Sequence, residues 1–287
     1  MRLPLRFFLM CTCMLASNLL SAQVLQGFVI DNESREHLAY ASIGVKNKNI
    51  GGIADRNGAF SIDLSGVQAS DSIVFSHIGY ESVVLSTQHL DVSKNLEIKL
   101  KSAPQALADF VVTAKFNMLN LGITKHSGRF TGWGDYSSSR GRARGILVQP
   151  LEFPLRVTEF ICRIKYNSFD SVKIRINMFK KPADGSQLQQ MLQNNIYYTI
   201  PKNARTVRVD LSPYNIVITD TIILAVEWID AWTDRKSTDE NPLFTISLGR
   251  ANGFCYERNT PNEQPSLKSC SEMPAMYLRG YRAGKKY

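Results

Sequence analysis

Gly27-Phe28-Val29-Ile30-Asp31, followed by Tyr40-Ala41-Ser42-Ile43, Asp55-Arg56-Asn57-Gly58-Ala59-Phe60 and Ser76-His77-Ile78-Gly79-Tyr80, decides the fold of the first part of the chain. Short apolar runs are broken by Asn, Asp, Ser and Gly, the punctuation of a small all-β domain. Asn57-Gly58 tolerates the positive φ angles of a tight turn. It therefore predicts a hairpin between Ile53-Ala54 and Phe60-Ser61-Ile62-Asp63-Leu64, with Phe60, Ile62 and Leu64 pointing inward. Strands are also expected from Ile73 to Ile78, from Glu81 to Leu85 and from Leu96 to Leu100. Asp55-x-Asn57-Gly58 lacks the further acids and the terminal Glu of a calcium loop, so it reads as a turn and not as a metal site.

On Gly27, Val29, Asp31, Ala41, Ile43, Gly51, Asp55, Gly58, Phe60, Asp71, Ile73, Ser76, Gly79 and Tyr80, this stretch resembles the carboxypeptidase-regulatory-like domain. That transthyretin-like β-sandwich is found at the N-terminus of many exported and outer-membrane proteins of Gram-negative bacteria. Leu107-Ala108-Asp109-Phe110-Val111-Val112-Thr113-Ala114 is similar to the segment that closes the domain in TonB-dependent receptors. Too few residues follow for a barrel of that kind. The resemblance implies a seven-strand sandwich that stabilises or presents its neighbours, and it does not imply peptide cleavage. His37, His77, His89 and His126 show neither His-x-x-Glu nor His-Glu-x-x-His, so no metal pair is presented and no cofactor is expected.

Ahead of this domain, Arg2 and Arg6 precede the apolar Phe7-Phe8-Leu9-Met10, and Leu19-Leu20-Ser21-Ala22 precedes Gln23. The pattern reads as a signal peptide over residues 1–22. The apolar run is shorter than the roughly 20 residues of a membrane span, and no span is expected after the signal is removed. The chain is expected in the periplasm or at the cell surface of a Gram-negative bacterium. The formal net charge of +9, two units of which belong to Arg2 and Arg6, favours anionic partners in a general, screened way and also suits an ordinary soluble protein.

Cys11 and Cys13 lie in the signal segment, leaving Cys162, Cys255 and Cys270. In an oxidising compartment Cys255 and Cys270 are the candidate disulfide, worth about 3 kcal/mol through restriction of the unfolded chain. Cys162 shares a strand face with Phe160 and Ile164 and reads as a buried thiol.

Residues 23–115 form the first domain on this reading, and 116–145 a linker and lead-in loop rich in Gly, Ser and Arg. Trp133 and Tyr136 can form a platform for a sugar ring, with Arg140 and Arg142 gripping an acidic group, or they can fold back on the protein as ordinary loop aromatics. Arg140 to Gly145 is one short Arg-Gly run, and no nucleic-acid partner is expected from it.

Residues 146–287 return to alternation at Val172–Met178, Val207–Leu211 and Phe244–Leu248, and about eight strands are expected in a jelly-roll-like sandwich. Ile222 to Ile229 is apolar on both faces except at Glu227, so it should lie centrally. Leu188, Met191 and Leu192 have helical spacing over one turn at most. Asp210-Leu211-Ser212-x-Tyr214-x-Ile216 with Val226-Glu227-Trp228-Ile229 is similar to the C-terminal sandwich of small exported proteins that carry the same first domain.

Glu227-Trp228-Ile229-Asp230-Ala231-Trp232-Thr233-Asp234 crowds acids and aromatics together. Glu227 with Asp230 or Asp234 can be cast as the carboxyl pair of a glycosidase, and Trp232 as part of a sugar-binding rim. No nucleophile elbow, phosphate-binding glycine loop or Cys-x-x-Cys pair is present. The expected function is a non-enzymatic binding or assembly protein of the cell envelope, recognising a glycan or an envelope protein. The alternatives are a glycan hydrolase and an accessory of a TonB-dependent transporter.

Overall fold

The computed structural model describes residues 23–103, 118–133, 139–233 and 243–282, and these fold as strands joined by turns and two short 3-10 segments. The expected signal segment, Leu107 to Ala114, Tyr136 and Asp234 lie outside the described residues.

The first sandwich contains β1 (Val24–Asp31), β2 (Ser42–Val45), β3 (Gly51–Ile53), β4 (Ala59–Asp63), β5 (Ser72–Ser76), β6 (Val83–Ser86) and β7 (Leu96–Leu100). A sheet ordered β4-β1-β7 faces one ordered β3-β2-β5-β6. Leu25, Val29, Ile43, Phe60, Ile62, Ile73, Phe75 and Leu100 fill the space between them. Gly27 lets the parallel partner β7 close on β1, because a Cβ there would run into the Leu96 carbonyl. Asp31 anchors one end of the domain: its Oδ1 accepts from the Glu33 and Ser34 N–H groups, and its Oδ2 accepts from Tyr80 Oη at 2.8 Å.

Asn57-Gly58 does make the expected turn, with Gly58 at φ 72° and Asp55 Oδ1 accepting from the Asn57 and Ala59 N–H groups. The two arms are not a hairpin. β3 pairs with β2, whereas β4 pairs with β1, so the chain crosses from one sheet to the other at this turn. Phe60, Ile62 and Leu64 point into the core as expected, whereas Ile53 is buried against the second sandwich with Tyr40 and Ile229.

The second sandwich comprises β8 (Leu119–Gly122), β9 (Phe130–Trp133), β10 (Ala143–Val148), β11 (Leu155–Asn167), β12 (Ser171–Lys180), β13 (Gln189–Gln190), β14 (Ile196–Pro201), β15 (Thr206–Asp210), β16 (Val217–Ile218), β17 (Ile222–Trp232), β18 (Phe244–Arg258), β19 (Ser266–Pro274) and β20 (Met276–Arg282). These strands connect in the order β13-β12-β17-β10-β18-β11-β20-β8, with the remainder attached at the sides. The 15-residue β18 pairs with β11 and β9 in its first half and with β10 and β19 in its second, so it belongs to both walls. Trp133, Phe160, Phe169, Trp228, Phe244 and many aliphatic side chains pack between the walls.

Three expectations change here. Residues 116–145 are more than a linker, because β8 pairs with β20 and β9 with β18. The strand count also exceeds eight: two-residue pieces such as β13 and β16 are too short for any periodicity to announce them. Within Leu188 to Leu192 the chain forms the two-residue β13 and no helical turn.

The sheet wall β12-β17-β10-β18 is covered on both faces. One face carries Ile174, Ile176, Leu224, Val226 and Trp228 into the core. On the other, Ile229 is buried with Tyr40 and Ile53 of the first sandwich. This covering of Ile229, together with the packing of Ile223 and Ala225 against Ala143 and Tyr256, is why β17 is apolar on both sides.

Candidate functional site

Four strands place one polar row on the face that meets the first sandwich. Arg175 on β12 is paired in register with Glu227 on β17, Glu227 with Ala143 on β10, and Ala143 with Arg258 on β18. Ala143 is small enough for Arg258 to reach over it, and Arg258 Nη2 meets Glu227 Oε1 at 2.8 Å. From the other side Arg175 Nε and Nη2 donate to Glu227 Oε2 at 2.9 and 2.8 Å. Asn177, two residues beyond Arg175 and so on the same face, donates Nδ2–H to the same oxygen at 2.6 Å.

Burial alone would raise the Glu227 carboxyl, but the fields of Arg175 and then Arg258 outweigh it and hold the group below the usual carboxylate range. Burial likewise works against the charge on Arg258, and the Glu227 carboxylate more than restores it. The three charges form one interlocked unit whose members would each be costly alone.

The row continues into the first domain. Arg175 Nη2 donates to Ser42 Oγ at 2.9 Å, and Arg175 Nη1 donates to Asn195 Oδ1 at 3.3 Å. With its oxygen so occupied, Asn195 turns its Nδ2 to His77 Nε2 at 2.9 Å, while His77 Nδ1 lies 3.0 Å from the Ile78 carbonyl. The pattern corresponds to neutral His77 protonated on Nδ1. Burial, then the field of Arg175, lowers its pKa to about 4.

Further contacts hold the two sandwiches together beside this row. Lys173 donates to Tyr40 Oη at 3.0 Å and lies over the Tyr40 ring. Asn262 Nδ2 donates to the Val74 carbonyl at 3.0 Å. Gly44 lets the loop at Pro261 approach β2, since a Cβ there would strike the Pro261 carbonyl. Tyr40 adopts a left-handed φ of 61°, a conformation that costs about 1 kcal/mol or more and that is held by packing against Ile229 and Tyr197.

Between the sandwiches the row faces a cavity of about 630 Å³, walled by side chains of both. Ser42, His77 and Tyr80 come from the first domain, and Arg175, Asn177 and Arg258 from the second.

The expected sugar platform is corrected by these contacts. Trp133 is 1% exposed, stacks on Phe244 with centroids 5.3 Å apart, and donates Nε1–H to the Arg142 carbonyl. Its position on β9 turns it into the core. Arg140 is committed to the carbonyls of Ile229 and Ala54, the latter across the domain boundary, and so braces the interface. Arg142 is partly buried, with Nε enclosed and lacking a hydrogen-bond partner among the described residues. Trp232 is 41% exposed at the end of β17, so it shares no open groove with Trp133.

Glu227 is also corrected as a general acid. It is fully buried, both oxygens are engaged by arginines, and its pKa is pushed in the direction opposite to that a proton donor needs. Asp230 lies on the same strand, two residues before the exposed Trp232, and its Oδ1 accepts a hydrogen bond from the Ala231 N–H at 3.0 Å. Cys255 and Cys270 are joined by a disulfide between β18 and β19, and Cys162 is a free, buried thiol whose pKa is raised by burial. Among the described residues no three His, Cys, Asp or Glu gather as a metal site, and no helix is long and apolar enough to cross a membrane.

Sequence reasoning reached Glu227 but not its partners. A lone acid in an otherwise apolar central strand requires a buried cation, and Arg175-x-Asn177 on the alternating β12 supplies the matching face. The contributions of Ser42, His77 and Arg258 depend on long-range pairing that no local spacing announces.

The spaced glycines, Asp31 and Tyr80 of the first sandwich fall within residues 25–112, which match the family model described as the CarboxypepD_reg-like domain. The first sandwich is a CarboxypepD_reg-like domain. The domain accounts for Ser42, His77 and Tyr80 of the cleft, and the second sandwich supplies the charged row. No curated protein matches the chain. Among solved structures it is similar to a chain of infectious bursal disease virus Gt strain, at 10% identity and a TM-score of 0.22 over 91% of this chain and 65% of that one. A chain of the Gx strain gives 9% identity and a TM-score of 0.22, over 91% and 62%. The chain thus spans less than two thirds of the length of either viral chain.

Proposed function

We propose that this is an exported, non-catalytic binding or assembly protein of a Gram-negative cell envelope, and that its two sandwiches together form the place where a ligand is held. The observation that carries this reading is the cleft of about 630 Å³ whose polar lining is contributed by both domains. Concave sites at domain boundaries with a few convergent polar groups are the usual form of a binding site. The CarboxypepD_reg-like domain serves as one wall of that site, which agrees with a supporting role for a fold without its own chemistry. The carboxylate that a hydrolase would need, Glu227, is locked as a structural counter-ion.

The ligand on this reading is an envelope glycan or a segment of an envelope protein. The test is to fractionate cells producing the full chain and to challenge the purified mature protein with envelope extracts. Recovery in the envelope fraction with a retained glycan or protein supports the reading. A cytoplasmic location, or no retained component from either class, overturns it.

A further inference from the structure

The cleft has a charge imbalance that specifies what it would hold. Arg175 and Arg258 carry two positive charges against the single negative charge of Glu227, leaving one positive charge at the row. Glu263 is the other acid whose field is felt at Arg258. Its Oε2 accepts from the Asn259 and Thr260 N–H groups at 2.7 and 3.1 Å, and it stands outside the lining of the cavity. His77 is neutral and adds no compensating charge.

Hydrogen bonding shows the same imbalance. Arg258 Nε is buried and has no hydrogen-bond partner among the described residues. Arg175 Nη1 has only long contacts, 3.3 Å to Asn195 Oδ1 and 3.5 Å to the Tyr40 carbonyl. A buried guanidinium donor without an acceptor is unfavourable, and an anionic oxygen brought to it gains a charge-assisted hydrogen bond. Both arginines line the cavity.

We propose that the cleft binds a small polar solute bearing one carboxylate, which docks on Arg258 and Arg175 while its neutral part lies against Gln190, Gln193 and Asn262. The single uncompensated charge and the neighbouring Glu227 carboxylate favour a monoanion over the dianionic forms of phosphate. Gln190, whose Oε1 is taken by the Met191 and Leu192 N–H groups, offers its NH2 as donor, and Asn262, whose Nδ2 is bonded to the Val74 carbonyl, offers its Oδ1 as acceptor, the two kinds of partner that hydroxyl or amide groups of a solute require. Acidic sugars and short peptides with a free C-terminus share this chemistry. The inference rests on the binding reading above and names the chemistry of its ligand.

The experiment is calorimetric titration of the full mature protein with a uronic-acid disaccharide and with an N-acetylated trialanine peptide, each beside its uncharged methyl ester or amide. The expected result is that at least one acid binds and its neutral counterpart binds at least tenfold more weakly. Whichever acid binds identifies the source. Arg258→Gln should weaken that acid at least tenfold and Arg258→Lys less, in variants whose unfolding midpoints show that they fold. The acid-versus-neutral comparison on the unaltered protein stands even where a variant does not fold. Equal binding of acid and neutral forms overturns the carboxylate inference while leaving a binding cleft. Stronger competition by inorganic phosphate than by acetate overturns it as well. If neither acid binds while the protein still retains an envelope component, this inference fails and the broader reading survives.

Discussion

Arg175 and Glu227 face each other on neighbouring strands of the second sandwich, and Arg175 also reaches Ser42 of the CarboxypepD_reg-like domain. One guanidinium thus neutralises a buried acid and joins two domains. The acid holds its partner in place for the contact across the boundary.

Replacing Glu227 by Gln keeps the shape of the side chain but leaves two buried arginines without their counter-charge. Removing one member of a buried ion pair typically costs about 3–5 kcal/mol. Urea denaturation should show a loss of that order for Glu227→Gln. A change below about 1 kcal/mol would mean that the row behaves as solvent-screened charge.

Ala143 sits between Glu227 and Arg258 and is fully buried. Ala143→Leu should obstruct the reach of Arg258 and overfill the boundary, destabilising the protein by about 1–3 kcal/mol. Ala143→Gly, which leaves the path open, should preserve the contact between Arg258 and Glu227. Comparing ligand binding and unfolding in the two variants separates a blocked path from a mere loss of packing.

Acid should weaken the protein through His77. Its folded pKa of about 4 lies below the ordinary histidine value of 6.5, so the unfolded chain takes up the proton first. Stability from this group is complete above pH 6.5 and falls as the pH drops from 6.5 to 4, by about 2–3 kcal/mol. The added proton would place an N–H on Nε2 against the Asn195 amide, with Arg175 nearby. His77→Gln should flatten this part of the stability profile. At lower pH the buried Glu227 adds a further loss, as the pH falls through its depressed pKa.

Tryptophan emission gives a direct check on the aromatic placement. Trp133 and Trp228 are buried and Trp232 is exposed, so acrylamide should quench one component of the emission and leave a blue-shifted remainder. Trp232→Phe should abolish the quenchable component. Persistence of that component would place Trp133 or Trp228 at the surface.

Thiol counting tests the cysteines. A chain of residues 23–287 should react slowly with a thiol reagent when folded, because Cys162 is buried and Cys255 and Cys270 are joined. On unfolding without reductant, one thiol should appear. Reduction should lower stability by about 3 kcal/mol, the value for a loop of some 15 residues.

The sequence made the first domain readable because its turns carry Gly and Asn at positions with few alternatives, and because its strands alternate cleanly. The crossing at Asn57-Gly58 was not readable: a turn of this kind leads into a hairpin or a change of sheet, and tertiary pairing selects between them. Trp133 misled for a related reason. Glycines on either side of it suggest a loop, yet Gly132 permits close pairing of β9 with β18, which carries the ring inward. Glu227 was conspicuous from its apolar surroundings, whereas Arg258 became its partner only through the small residue on an intervening strand.

The pairing of β8 with β20 sets an order on assembly. Strands β1 to β7 are complete once residue 100 has been made, so the first domain can fold on the emerging chain. Leu119–Gly122 must wait for Tyr277–Gly280, which are made well after them. Until then the second sandwich lacks a wall strand, and its unpaired edges are open to incorrect partners. Truncation within the last strand should therefore harm the beginning of that domain as much as its end, while the CarboxypepD_reg-like domain remains folded.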